Sequence, residues 1–202
     1  IAKGYGITLI VTLVGTTLSV LITTMFAYPL SRKELPFRYG FSFFVFFTML
    51  FNGGLVASYY VYSNIFHIKN TIWALIVPTF LMSPFNVVLV KNYFSNSISP
   101  SILEAARMDG AGVFAVFTKI VMPLSVPIMA TVGLMTAISY WNDWTNGLYY
   151  LTENGGSQYY TIQLVLNRIN ENINFLANNS DVAAKAAQQL PSTTMRMAIA
   201  VI

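Results

Sequence analysis

The sequence predicts an all-α, polytopic membrane helical bundle, and three observations carry that prediction. Only 9% of the 202 residues are charged while 55% are hydrophobic, whereas soluble domains carry about a quarter charged residues. The apolar residues gather into four runs of about the 20 residues that a helix needs to cross a bilayer. What polar sequence remains lies between those runs, chiefly at 91–122 and 141–194.

The first predicted span covers 5–30 and is closed by Pro29 and by Ser31-Arg32-Lys33. The second covers 39–62, the third 71–90 and the fourth 124–140, and a last span starts at 195 and reaches the chain end at 202. These segments are hydrophobic on every side. That suits helices in lipid, where each backbone polar group must be satisfied within the segment. Gly15 with Ser19, and Gly133 with Ala137, place small residues at helical spacing, so neighbouring helices can approach closely. The chain opens at Ile1 without an initiator Met and stops a few residues into an apolar stretch. It is therefore expected to be a piece lacking residues at both ends. Residues 5–30 are too long for a signal peptide and lack its cleavage pattern.

Basic residues set the expected orientation. Arg32, Lys33 and Arg38 flank the first connection, and Lys91, Arg107 and Lys119 lie in 91–122. The opposite face carries Lys3 and Lys69 in short segments. The excess of positive charge places 91–122 in the cytoplasm and the long 141–194 segment outside. In that outer segment Gly155-Gly156-Ser157 marks a turn. Ile162, Val165, Leu166, Ile169 and Ile173 form a helical stripe. A second short helix is expected at about 181–190, stopped by Pro191, and Asn178-Asn179-Ser180 matches the glycosylation pattern.

Several function classes fall away. The net charge of +4 and pI near 9.3 come from residues scattered at the ends of apolar runs, so topology explains them better than nucleic-acid binding. The absence of cysteine excludes disulfides, thiolate metal sites and cysteine nucleophiles. His67 is the one histidine, so no paired-histidine metal site can be built. No phosphate-binding G-x-x-x-x-G-K-[ST] occurs, and no nucleophile–base pair is evident. A membrane enzyme is thereby disfavoured. An ion-driven carrier or channel would call for charged groups deep within spans, and these are nearly absent.

Segment 91–122 is the most informative part of the chain. Pro100 suits the first turn of a helix, and Ser101-Ile102-Leu103-Glu104 has the capping-box pattern. Ala105 and Ala106 favour helix with little bulk, and Gly110 permits a left-handed bend that ends it. A second helix with Phe114, Phe117 and Val121 on one face leads to Pro123 and the next span. Taken alone, Glu104 is as well explained as a helix cap. In the outer part, Tyr140-Trp141-Asn142-Asp143-Trp144, with Asn146 and Tyr149, combines aromatic faces with amides and a carboxylate, as sugar sites do. Asn86, Tyr59 and Tyr60 are further candidates. An interfacial aromatic belt has the same composition.

The pattern Glu104-Ala105-Ala106, three residues, Gly110, nine residues, Ile120, two residues, Pro123 resembles the cytoplasmic signature of bacterial ABC-importer permeases. Met108-Asp109-Gly110-Ala111 resembles that family's I-D-G-A, and Met122 stands where the family usually has Leu. Ala27-Tyr28-Pro29-Leu30-Ser31-Arg32-Lys33, Thr48-Met49-Leu50-Phe51-Asn52-Gly53-Gly54-Leu55 and Tyr140-Trp141-Asn142-Asp143-Trp144 resemble the oligosaccharide-type permeases. Within these they are most similar to the branch associated with aldouronate and other polysaccharide-derived oligosaccharides. Family members have six spans, and this chain would start at the second and stop inside the sixth.

The resemblance implies the type I importer permease fold in a bacterial cytoplasmic membrane. It also implies a homologous second permease, two cytoplasmic ATPase subunits and an extracellular solute-binding lipoprotein. ATP and Mg would be used by the ATPase, with no cofactor bound by this chain. The helix carrying Glu104, Ala105, Ala106, Arg107, Met108 and Asp109, with its bend at Gly110-Ala111, would dock in a groove of the ATPase. Glu104 would face a basic residue there, and small alanines would let the helix sit deep. The outer segment 147–191, rich in asparagine (Asn167, Asn170, Asn172, Asn174, Asn178), resembles the region that meets the binding protein. An ABC permease for a non-sugar solute fits the same signature.

Overall fold

The computed structural model describes residues 2–178, and every regular element among them is helical. Helix α1 (Ala2–Ser31) is 30 residues long, about 45 Å at 1.5 Å per residue. It is the one described helix that is by itself long and apolar enough to cross a membrane. It forms the axis of the bundle. Helix α9 (Val126–Trp141) packs along one side and α5 (Pro84–Ser97) along another. Of the small residues expected at helix contacts, Gly15 and Gly133 lie between α1 and α9. The Tyr140 ring lies where a side chain on Gly15 would stand, and Val20 lies against Gly133.

Two apolar clusters sit at opposite ends of α1. One gathers Ala27, Tyr28 and Leu30 with Val87, Val90, Phe94, Leu103, Val116, Phe117 and Val121. The other gathers Val11, Leu75, Ile76, Tyr140, Leu151 and Leu164. Much of the remaining apolar surface faces outward, including Phe41, Phe43, Phe44, Phe46, Phe47 and Phe51. A soluble monomer rarely exposes so large a patch, whereas a bilayer or a partner helix covers it. The protein is membrane-integral.

The structure breaks two runs that the sequence reading treats as continuous helix. Residues 39–62 divide into α2 (Arg38–Leu50) and α3 (Gly54–Tyr60), the latter continuing as a π-turn over Val61–Ile65; the two parts meet at 111°. Gly54 has φ +75°, a conformation that suits glycine, and its N–H donates to Asn52 Oδ1 at 3.0 Å. Residues 71–90 hold only α4 (Trp73–Ile76) and the start of α5, which runs on to Ser97.

Between α4 and α5 the chain passes Pro78 and Thr79, the latter at φ +70°, before α5 opens on Pro84. Backbone carbonyls freed by this break find side-chain donors from elsewhere. Tyr140 OH donates to Ile76 O at 2.7 Å, Ser19 Oγ to Phe80 O at 3.0 Å and Asn146 Nδ2 to Pro78 O at 3.4 Å. Irregular backbone survives inside an apolar bundle only with such replacements.

The route from 113 to 141 is bent as well. Helix α7 (Val113–Val116) passes through a π-turn at Phe117–Val121 into α8 (Met122–Leu124), then turns by 77° at Ser125 into α9. The π-turn shifts the helical face, so Val116, Phe117 and Val121 are buried while Phe114 is 71% exposed. Phe114 therefore does not share the buried face expected for it.

Beyond α9 come α10 (Thr145–Tyr150), α11 (Glu153–Gly156), a 3-10 turn at Ser157–Tyr159 and α12 (Ile162–Asn178). The α12 stripe is present, but Leu164, outside the expected set, is fully buried against Gly147. The helix expected at about 181–190, Pro191 and the span starting at 195 lie outside the described residues. So do Asn179 and Ser180 of the glycosylation pattern.

Candidate functional site

The segment singled out in the sequence forms helix α6 (Pro100–Met108), with Ser99 as its N-cap and Pro100 in its first turn. The capping box does not form. No side chain caps the helix, the Ser101 hydroxyl pairs with Ser99 Oγ at 2.8 Å, and Glu104 is exposed. Because Ser101 lies inside the helix rather than at its N-cap, Glu104 has no cap position to reach back to. Its carboxylate is left for other work.

Helix α6 is two-faced. Leu103 and Ala106 are buried in the bundle, while Glu104, Ala105, Arg107, Met108 and Asp109 face out, Met108 at 87% exposure. The two alanines thus divide. Ala106 contacts the protein's own core, so of the pair Ala105 alone offers its small side chain to the exterior. The helix ends at Gly110, φ +80°. There Gly110 N–H donates to Arg107 O and Ala111 N–H to Ala106 O, each at 3.0 Å. This left-handed glycine closure aims the chain back toward α7. Arg107 Nη1 lies 3.6 Å from Glu34 Oε1 in the α1–α2 connection. That exposed pair is worth about 0–1 kcal/mol, so apolar burial of Leu103 and Ala106 does most of the anchoring.

The second group of candidates lies at the other end of α9. Asp143 is buried, and its carboxylate is fully engaged. Oδ1 accepts from Thr145 N (3.1 Å), Thr145 Oγ1 (2.8 Å) and Asn146 N (3.2 Å), while Oδ2 accepts from Asn146 Nδ2 (2.8 Å). These bonds tie down the exposed donors at the start of α10. Asn146, also buried, reaches the Pro78 carbonyl, and Thr79 Oγ1 donates to its Oδ1 at 3.4 Å. Asn86 Nδ2 donates to Thr136 Oγ1 at 3.4 Å between α5 and α9.

The outward-facing members are Asn142, Trp144 and Tyr149, with Trp141 half-buried and its ring edge-on to Tyr5 at 5.6 Å. Tyr59 accepts from Lys69 Nζ at 2.7 Å and stacks on Tyr150 at 5.8 Å, while Tyr60 is exposed. The structure therefore draws Asp143, Asn146 and the 77–83 break into one polar frame. It leaves Tyr59 and Tyr60 with the Lys69 turn and holds Asn86 between two helices. Ser19 and Tyr140 also stitch this frame; the sequence marks Ser19 as a small packing residue and Tyr140 as part of the aromatic motif, neither as a donor to a distant carbonyl. Thr136, the partner of Asn86, has no signal in the sequence beyond a polar residue in an apolar run.

Comparison with known proteins follows the same lines. Residues 9–202 match the family described as binding-protein-dependent transport system inner membrane component. The chain is 38% identical over 169 residues to the polygalacturonan/rhamnogalacturonan transport system permease protein YtcP of Bacillus subtilis, covering 84% of this chain and 57% of that protein. It is 32% identical over 200 residues to the protein LplC of the same organism, covering 99% of this chain and 65% of that one. The chain thus spans under two thirds of the length of these relatives. In three dimensions it resembles a chain in the crystal structure of a bacterial ABC transporter involved in the import of the acidic polysaccharide alginate. The TM-score is 0.81 at 28% identity, over 98% of this chain and 68% of that one.

Proposed function

Because the chain belongs to the family of binding-protein-dependent transport system inner membrane components, we propose that it is the transmembrane permease subunit of an ATP-driven importer for polysaccharide-derived oligosaccharides. A relative named for polygalacturonan/rhamnogalacturonan transport and a structural neighbour named for import of the acidic polysaccharide alginate support the substrate class. The single observation that carries the coupling role is the two-faced helix α6. It is locked to the bundle by Leu103 and Ala106, yet presents Glu104, Ala105 and Met108 outward beside a glycine-closed bend.

In this reading the subunit sits multi-pass in a bacterial cell membrane, with 91–122 on the cytoplasmic side and 141–194 outside. It pairs with a second, homologous permease, two cytoplasmic ATPase subunits and an extracellular solute-binding lipoprotein. ATP and Mg act in the ATPase subunits, and this chain carries no catalytic residue. Closure of the ATPase pair moves α6. Because Leu103 and Ala106 are packed into the cluster around Tyr28 and Phe117, that motion passes to α1, α5 and α9. Glu104, exposed, sets register against a basic ATPase side chain rather than supplying much affinity.

Trp141, Asn142 and Trp144 line the proposed sugar path, with Asn86, Tyr59 and Tyr60 flanking it. Asp143 and Asn146 hold its backbone frame. Co-purification with the cognate ATPase and uptake of labelled oligosaccharide by the reconstituted transporter test the reading together. Glu104→Lys, which sets a like charge against the basic ATPase side chain, should weaken ATPase co-purification and stop uptake while membrane insertion is unchanged. Retention of both by that variant defeats the coupling role. Asn142→Ala should lower uptake at limiting substrate while leaving basal ATPase activity as it was.

A further inference from the structure

A cavity of about 580 Å³ lies beside α6, walled by the end of α1, the start of α2 and the C-terminal half of α5. Five basic side chains line it (Arg32, Lys33, Arg38, Lys91 and Arg107) against the carboxylates of Glu34 and Glu104. Few of those charges are neutralised by the protein itself. Arg107 has the exposed pairing with Glu34 at 3.6 Å. Lys91 Nζ donates to Ser42 Oγ at 2.9 Å, and Arg38 Nη2 to Tyr39 OH at 2.9 Å; both acceptors are neutral.

Arg32 is the most telling of the five. Its guanidinium lies 4.6 Å over the Tyr28 ring, and its Nε and Nη2 are buried with no hydrogen-bond acceptor among the described residues. A guanidinium presents a planar fork of donors that matches phosphate and carboxylate oxygens, and buried donors left without acceptors are costly. Burial pulls the Arg32 pKa below the usual arginine value, with the Arg107 charge adding to that pull and Tyr28 and Glu34 opposing it. Arg32 and Arg107 line the same cavity, so an anion between them would be attracted to both.

We propose that this cavity binds a phosphoryl anion held between Arg32 and Arg107, the latter on α6. The site lies at the ends of apolar helices, where basic pockets on the cytoplasmic side receive acidic lipid head groups. The same chemistry also serves a soluble phosphate. An anion there ties α6 to the end of α1. This consequence for coupling rests on the reading of α6 given above; the binding itself does not.

The test uses the whole transporter in nanodiscs of phosphatidylcholine with or without phosphatidylglycerol. Native mass spectrometry reads the lipid retained, and a thermal shift reads the response to inorganic phosphate in the neutral discs. Wild-type protein should retain phosphatidylglycerol over phosphatidylcholine, and Arg32→Gln should weaken retention about fivefold for the charge removed. Arg32→Lys, which keeps the charge without the fork, should fall between, and Lys119→Gln, outside the cavity, should match wild type. Selective lipid retention assigns the head group as the source. A phosphate shift that Arg32→Gln abolishes, without lipid selectivity, assigns the free anion. If neither readout responds to Arg32→Gln, or if that variant only sheds the ATPase, the proposal is overturned. Failure of the coupling reading would instead leave anion binding intact.

Discussion

Gly15 faces the end of the Tyr140 ring so closely that a methyl group there has no space. A Cβ on residue 15 would stand 2.6 Å from Tyr140 Cζ and 2.8–2.9 Å from the ring carbons beside it. The ring cannot simply swing away. It is 1% exposed, its hydroxyl holds the Ile76 carbonyl at 2.7 Å, and Phe80 sits edge-on at 5.3 Å.

Gly15→Ala therefore overpacks this contact, at about 1–3 kcal/mol. It also weakens the Tyr140–Ile76 bond, worth about 0.6–1 kcal/mol inside a bundle. Alanine returns about 0.8–1 kcal/mol of helix propensity. The net expectation is a loss of about 1–3 kcal/mol, lowering the thermal midpoint by about 2–12 °C for a chain of this size. The assay is loss of the monodisperse chromatographic peak of the purified protein on heating. Gly133→Ala is the internal comparison, because its added carbon meets only Val20 Cγ2 at 3.6 Å, and its midpoint should be unchanged or raised. Gly15→Ala combined with Tyr140→Leu should recover part of the loss by vacating the ring's space. A Gly15→Ala protein as stable as wild type, or a double variant no better than the sum of the singles, refutes this account of the α1–α9 contact.

Further outcomes are expected at Gly110, at the two alanines of α6 and at Asp143. Gly110→Ala should cost about 1–2 kcal/mol for a side chain in the left-handed region. Gly110→Pro, whose φ is locked near −65°, should abolish uptake with membrane insertion intact on fractionation. Ala105→Leu should leave thermal stability alone but impair ATPase co-purification. By contrast, Ala106→Leu should destabilise the subunit itself by about 1–3 kcal/mol, since Ala106 lies in the core; equal effects at both positions would contradict the two-faced α6. Asp143→Asn should cost about 2–3 kcal/mol, because it removes the charge from four accepted bonds and sets an amide donor against Asn146 Nδ2. A melting curve like that of wild type would mean the start of α10 does not depend on this carboxylate.

Much of this molecule can be read from the chain alone, wherever one residue's chemistry decides the matter. Low charge and apolar runs of about 20 residues call for membrane helices, since a run of that length spans the bilayer as a helix and satisfies its backbone within the segment. Pro100, the alanines and Gly110 specify a short helix and its left-handed closure through local conformational preference. The small faces of Gly15 and Gly133 mark where helices meet.

Other features depended on residues distant in sequence. The break at 77–83 looks like continuous span because its residues are apolar. It persists only because Ser19, Tyr140 and Asn146 bring donors to its carbonyls from 61 to 68 residues away. Local pattern also favoured a capping box that the helix start at Ser99 bypasses. It gave Ala105 and Ala106 one shared role, although neighbouring positions on a helix point about 100° apart. The concentration of positive charge around Arg32 likewise appears only when α1, α2, α5 and α6 converge. Composition determines that a chain must be buried in lipid; which polar group meets which carbonyl is settled by packing, because those partners have no local relation in the sequence.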